Sequence, residues 1–134
     1  MPHIRPTLAL ICLFLAACGD DRAVTRGAAI YAETCAICHG GDLRGGGGAG
    51  VEGLSKTPSD LTLLARDAGG AFPRDTVLMI LENYASGQQP GRMMRPFSHL
   101  SSDSDRRLKT ESGRQKVSAA QADLLAYLEA TQRP

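Results

Sequence analysis

Residues 35–39 read Cys35-Ala36-Ile37-Cys38-His39. Two thiols three positions apart, followed by an imidazole, can serve three chemistries. A redox dithiol needs the cysteines at a helix start within alternating strands and helices. A zinc site needs four ligands in tetrahedral array. Covalent haem attachment uses both thiols for thioethers and the following histidine for the iron. Each demands a different frame, so the rest of the chain decides among them.

The chain has 134 residues, of which 43% are hydrophobic and only 4% aromatic, with no Trp. That is one domain with a small core and few large fillers. A Gly-rich domain of this size is marginal unless something else staples it, and a large buried cofactor would meet that need.

The first residues read as an export signal. Leu8 to Ala16 is a continuous apolar run, shorter than the roughly 20 residues a bilayer span takes and suited to the core of a secretory signal. It ends Leu15-Ala16-Ala17-Cys18, which resembles the bacterial lipoprotein signal, in which small residues precede a cysteine that is lipidated. The expectation is a signal peptide over 1–17 cleaved before Cys18, a lipidated tether over 18–23, and one domain over 24–134. The alternative is an ordinary signal cut near Ala17, leaving a soluble periplasmic protein with Cys18 incidental.

Removing residues 1–17 takes away Arg5 and no acid, leaving 14 basic side chains against 14 acidic ones. The balance is uneven. Seven bases (Arg92, Arg95, Arg106, Arg107, Lys109, Arg114, Lys116) face three acids (Asp103, Asp105, Glu111) between positions 92 and 116. With one aromatic and no recognised motif, this stretch does not point to nucleic acid.

Helical patterns dominate. Ala28, Tyr31, Ala32 and Cys35 recur at helical spacing over about Val24–Ala36. Gly27 inside that segment either starts the helix or marks a close crossing. Residues 40–53 hold eight of the fifteen glycines and read as a loop without the ending of a phosphate-binding loop. Ser59 is placed to cap a short helix over about Asp60–Asp67. A helix over about Arg74–Ala85 presents Val77, Leu78, Ile80, Leu81 and Tyr84. Residues 98–116 read as an exposed loop, and no strand pattern is convincing. Ser118 and Gln121 match a capping box ahead of a Leu124, Leu125, Leu128 stripe.

Cys35–His39 therefore ends a helix in a chain without strands, which removes the dithiol. With Cys18 taken as the lipid site, only His99 remains as a further mature Cys or His, and no second Cys-x-x-Cys exists, which removes zinc. Haem c is left. An electron-carrying haem wants a second axial ligand, often a Met thioether, and Met93 and Met94 lie 54 and 55 residues past His39.

With these residues in view the chain resembles the small single-haem class I cytochromes c of bacteria, over nearly all of 24–131. The resemblance rests on Gly27 and Tyr31 before Cys35–Gly40, on Pro58-Ser59-Asp60-Leu61-Thr62, on Gly70–Pro73, on the helix with Tyr84, on Met93–Phe97, and on the closing Leu124–Ala130. It implies an all-α cytochrome c fold of about four helices around one covalent haem c, with first and last helices crossing at Gly27 near Tyr127 or Leu128. It implies thioethers at Cys35 and Cys38 and His39 on the iron, with its ring oriented by a carbonyl between Gly48 and Pro58. Counting back from Phe97 selects Met94 as the second ligand, with Met93 the alternative and His99 a bis-His variant. The family's Met-Pro is here Met94-Arg95, and the charged segment 101–116 is an addition, expected to be a solvated insertion.

The function expected is single-electron transfer between redox proteins, without a small-molecule substrate, on the periplasmic side. A partner with an acidic docking surface would suit the basic stretch. The alternative is a haem subunit or gas-binding sensor with an open sixth iron site.

Overall fold

The computed structural model describes residues 17–47, 56–86, 98–101 and 104–134. Met93, Met94 and Phe97 lie outside the described residues, as does most of the signal segment.

The order is α1 (Ala17–Thr34), α2 (Ala36–His39), a 3-10 turn (Leu61–Leu63) running into α3 (Leu64–Asp67), α4 (Arg74–Ala85), a 3-10 turn (Ser98–Leu100), β1 (Asp105–Thr110), β2 (Gly113–Ser118) and α5 (Ala119–Ala130). The chain is mostly helical, as expected, but not all-α. The segment read as an exposed loop contains an antiparallel hairpin, with Asp105 opposite Ser118 and Thr110 opposite Gly113.

The hairpin was hidden because its alternation is carried by few apolar residues. Leu108, Thr110, Gln115 and Val117 turn to the body, while Arg107, Lys109, Arg114 and Lys116 are exposed. Its tip clamps the start of α4, which has no side-chain cap of its own at Pro73. The Glu111 carboxylate accepts from the Arg74 and Asp75 amides at 3.0 and 2.9 Å. Asp75 in return accepts from the Ser112 amide at 2.7 Å and the Ser112 hydroxyl at 3.0 Å, and from Gln115. Arg74 joins α4 to α5 through a two-pronged pair with Glu129.

α1 and α5 cross. The face α1 buries is Gly27, Tyr31 and Thr34, spaced i, i+4, i+7; Ala32, expected on that face, is exposed. A Cβ on Gly27 would sit 2.0 Å from the Asp123 carbonyl oxygen and 2.7 Å from the Tyr127 Cβ. The crossing at Gly27 near Tyr127 is thus present, and the close approach itself requires glycine. α1 begins at Ala17, ahead of the expected Val24, so the stretch read as a tether is helical.

α5 starts on the expected capping box: the Ser118 hydroxyl accepts from the Gln121 amide at 3.0 Å, and the Gln121 side chain accepts from the Ser118 amide at 3.1 Å. Such a cap stabilises a helix by about 1 kcal/mol. Leu124, Leu125 and Leu128 are buried with Tyr31, Leu78, Leu81 and Leu100 in one core. On α4 the buried set is Val77, Leu78, Leu81 and Ala85. Ile80, expected on that face, is exposed, because Ala85 rather than Ile80 completes the i, i+4 row.

A carboxylate lies inside this apolar crossing. Asp123 is 4% exposed and takes two bonds from Arg26 of α1, at 2.5 and 2.9 Å, and one from Arg106 of β1 at 2.7 Å. Burial of one anion is offset by two cations that keep contact with water. Three elements are pinned at one point.

Candidate functional site

The site is built at the C-terminal end of α1. The Tyr31 carbonyl accepts from the Cys35 amide at 2.8 Å, and the Cys35 carbonyl accepts from the Cys38 and His39 amides at 3.1 and 2.9 Å. Helical bonding therefore passes through Cys35 with only a local break, and one turn carries Cys35, Cys38 and His39. Cys35 is half-buried and joins the core margin, whereas Ile37 is 69% exposed.

His39 is buried, and its Nδ1 lies 2.9 Å from the carbonyl oxygen of Ser59. A carbonyl oxygen only accepts, so Nδ1 carries the proton. In the neutral ring Nε2 then holds the lone pair, and among the described residues nothing is hydrogen-bonded to it. A buried imidazole fixed in this tautomer by a backbone acceptor is the arrangement of a metal ligand.

The orienting carbonyl belongs to Ser59 and not to a residue between Gly48 and Pro58. The segment after it explains why. Asp60 accepts from the Thr62 amide at 2.9 Å, the Thr62 hydroxyl at 2.5 Å and Arg133 at 3.0 Å. These bonds, the Thr62 hydroxyl foremost, hold the Asp60 carboxyl below the usual carboxylate range. Asp60, not the expected Ser59, caps the turn, which leaves the Ser59 carbonyl free for His39. The C-terminal tail locks the segment further: the Arg133 amide donates to the Thr62 carbonyl at 2.8 Å, and Gln132 bridges the Ala65 amide and the Leu61 carbonyl.

The glycine loop closes against the same segment. Gly45, at φ +76°, approaches so closely that a Cβ there would lie 2.2 Å from the Pro58 carbonyl oxygen. Its amide donates to the His39 carbonyl at 2.9 Å. Leu43 is buried at φ +63°, an uncommon conformation for a bulky residue, and its carbonyl accepts from the Leu61 amide at 2.8 Å. From the other side the Tyr31 hydroxyl donates to the Gly40 carbonyl at 2.6 Å, with the Tyr127 ring 5.5 Å away. Burial raises the Tyr31 phenol well above its ordinary pKa, so it stays a donor.

The three chemistries now separate on geometry. Burial, and then the neighbouring Cys38, pushes the Cys35 thiol up to about 11. A reactive dithiol needs the reverse, a thiol pKa lowered toward neutrality. Among the described residues no group of three Cys, His, Asp or Glu converges as a metal cluster. Covalent haem fits: two thiols on one helical turn, and a buried imidazole beside them whose metal-binding nitrogen is unengaged. His99 is brought to α1 instead, its Nε2 2.9 Å from the Thr34 hydroxyl.

Sequence reasoning missed Asp123, Glu111 and the Asp60–Arg133 pair. Asp123 did leave a signal: an acid between Ala122 and Leu124, in the apolar stretch of α5.

The family model described as Cytochrome C oxidase, cbb3-type, subunit III matches residues 22–108. That span contains α1 from Arg22 onward, the Cys35–His39 turn, the Ser59 segment and α4. No curated protein and no solved structure matches the chain. The chain belongs to this family of bacterial c-type cytochromes, whose chemistry is haem-based electron transfer.

Proposed function

We propose that the protein is a single-haem electron carrier held at the periplasmic face of a membrane by a lipid on Cys18. Cys35 and Cys38 would hold the haem by thioethers, His39 would bind the iron through Nε2, and Met94 would supply the second axial ligand, with Met93 the alternative. When bound, the haem supplies a one-electron iron couple, and the protein tunes and positions it. The observation that carries the reading is the His39–Ser59 hydrogen bond beside two cysteines on one turn.

The chain's own residues have three tasks. The Ser59 carbonyl fixes the imidazole tautomer and its rotation, which raises the basicity of the ligating nitrogen. Asp60, Thr62 and Arg133 hold that carbonyl in place. Tyr31 and Gly45 close the backbone around His39, so both oxidation states would meet nearly the same frame. Transfer would run between redox proteins, with no small-molecule substrate.

The family description names an oxidase subunit, which favours one second reading: a haem subunit within a larger complex, or a site open at the sixth position. The absorption spectrum of the oxidised protein separates these. A thioether–iron band, lost on Met94→Ala and kept on Met93→Ala, is expected. Its absence from the unmutated protein would sink the His/Met assignment and favour the open site.

A further inference from the structure

The hairpin turns a row of cations outward. By register Arg107 stands opposite Lys116, and Lys109 opposite Arg114. Directly opposed residues share a face, and all four side chains are exposed. Of these, Lys116 alone has an acidic partner among the described residues, Asp105 at 2.6 Å. Arg107, Lys109 and Arg114 have none.

Like charges placed directly opposite each other destabilise a strand pair, and here two such pairs are adjacent. The face is also held rigid. Arg106 beneath it is bonded to Asp123, and Glu111 and Asp75 fasten the tip to α4. Arg106 is thereby removed from the basic surface that the sequence outlines, which leaves a compact patch of four cations on a fixed ribbon. Along the sequence the basic side chains concentrate between residues 92 and 116, and the remainder carries a net negative charge, so the patch stands in the basic part of the chain.

We infer that the outer face of β1 and β2, through Arg107, Lys109, Arg114 and Lys116, is the docking surface for a protein partner bearing a cluster of carboxylates. Charge complementarity selects an acidic occupant, and the redox-carrier reading, on which this inference rests, selects a protein. The surface lies away from Cys35–His39: it is fastened at Arg26, nine residues up α1, or roughly 13 Å along the helix. It would therefore set association and orientation and leave the iron couple untouched.

The test uses the full-length holo-protein and the variant Arg107→Gln/Lys109→Gln/Arg114→Gln, which spares the Lys116–Asp105 pair. A control variant neutralises Arg22, Arg44 and Arg66. Binding to poly-L-glutamate and to phosphatidylglycerol vesicles is measured at low and high salt. The hairpin variant should bind poly-L-glutamate at least tenfold more weakly at low salt, while the control changes less than threefold. Its absorption spectrum and reduction potential should stay unchanged, and its melting temperature should hold or rise because the opposed charges are gone. Equal polyglutamate binding by variant and unmutated protein would overturn the inference. So would hairpin-dependent binding to vesicles with none to polyglutamate, which would assign the face to lipid. A protein lacking a covalent haem would refute the carrier reading instead, whatever it binds.

Discussion

Replacing Gly27 by Ala separates two accounts of this residue by sign. In a helix interior that meets nothing, Gly→Ala stabilises by up to about 1 kcal/mol. Here the added Cβ would stand 2.0 Å from the Asp123 carbonyl oxygen and 2.7 Å from both the Asp123 carbonyl carbon and the Tyr127 Cβ. Ordinary contact begins near 3.4 Å, so α1 and α5 must part by about 1.4 Å. The obstacle is backbone, which cannot rotate away. Overpacking costs about 1–3 kcal/mol, and a backbone clash at a helix crossing belongs at the upper end, about 3 kcal/mol. The propensity gain offsets about 1, for a net loss of about 2 kcal/mol. Parting the helices also strains the Arg26–Asp123 pair and the Tyr31–Tyr127 contact, which adds to the loss. Urea unfolding of the holo-protein, followed by far-ultraviolet circular dichroism, measures it. With a slope of about 1–1.5 kcal/mol per molar urea, the midpoint should fall by about 1.3–2 M. The haem spectrum should not change, because Gly27 lies about two turns from Cys35. An unchanged or higher midpoint would refute the crossing as described.

Two other perturbations follow from the same contacts. Asp123→Ala removes the bonds that tie Arg26 and Arg106 together, but both guanidiniums are half-exposed and can turn to water, so the holo-protein should lose about 1–2 kcal/mol in the same titration; a loss near zero would mean the cluster is ornamental. The hairpin clamp should respond to acid. The Asp75 carboxyl is held below its ordinary pKa by the Thr110 hydroxyl and by Ser112, and Glu111 by the amides at the start of α4. Folded values below unfolded ones stabilise above the ordinary carboxylate range, near pH 4, and that stabilisation is lost as pH falls through the depressed values. Amide exchange at Arg74 and Asp75, corrected for its intrinsic pH dependence, should therefore speed up several-fold below about pH 4. Protection that stays flat to pH 2.5 would count against the clamp.

The helices were legible where local signals were strong. Ser118 and Gln121 announced the start of α5, and its leucines announced its buried side, because a capping box and an apolar stripe are both short-range. α4 had equally clear bounds. Gly27 was legible as an anomaly, and its cause needed only a second helix. The hairpin was not legible, since Arg107, Lys109, Arg114 and Lys116 mask the alternation of Leu108, Thr110, Gln115 and Val117. What stabilises it is tertiary: Glu111 capping a helix 36 and 37 residues away in sequence. The site divides the same way. Cys35, Cys38 and His39 were readable because their spacing is their chemistry. Ser59 was not, because a carbonyl carries no sequence signature. Its place depends on Asp60 taking over the cap and on Arg133 returning from the far end of the chain.

The most direct test of the central claim is the intact mass of the purified, denatured protein. One haem joined through Cys35 and Cys38 predicts the mature polypeptide plus the mass of one haem, beside whatever the N-terminus carries. That increment should survive denaturation and organic extraction, and it should be lost in the Cys35→Ala/Cys38→Ala variant. A polypeptide mass without the haem increment, from cells that mature other c-type cytochromes, would contradict the account.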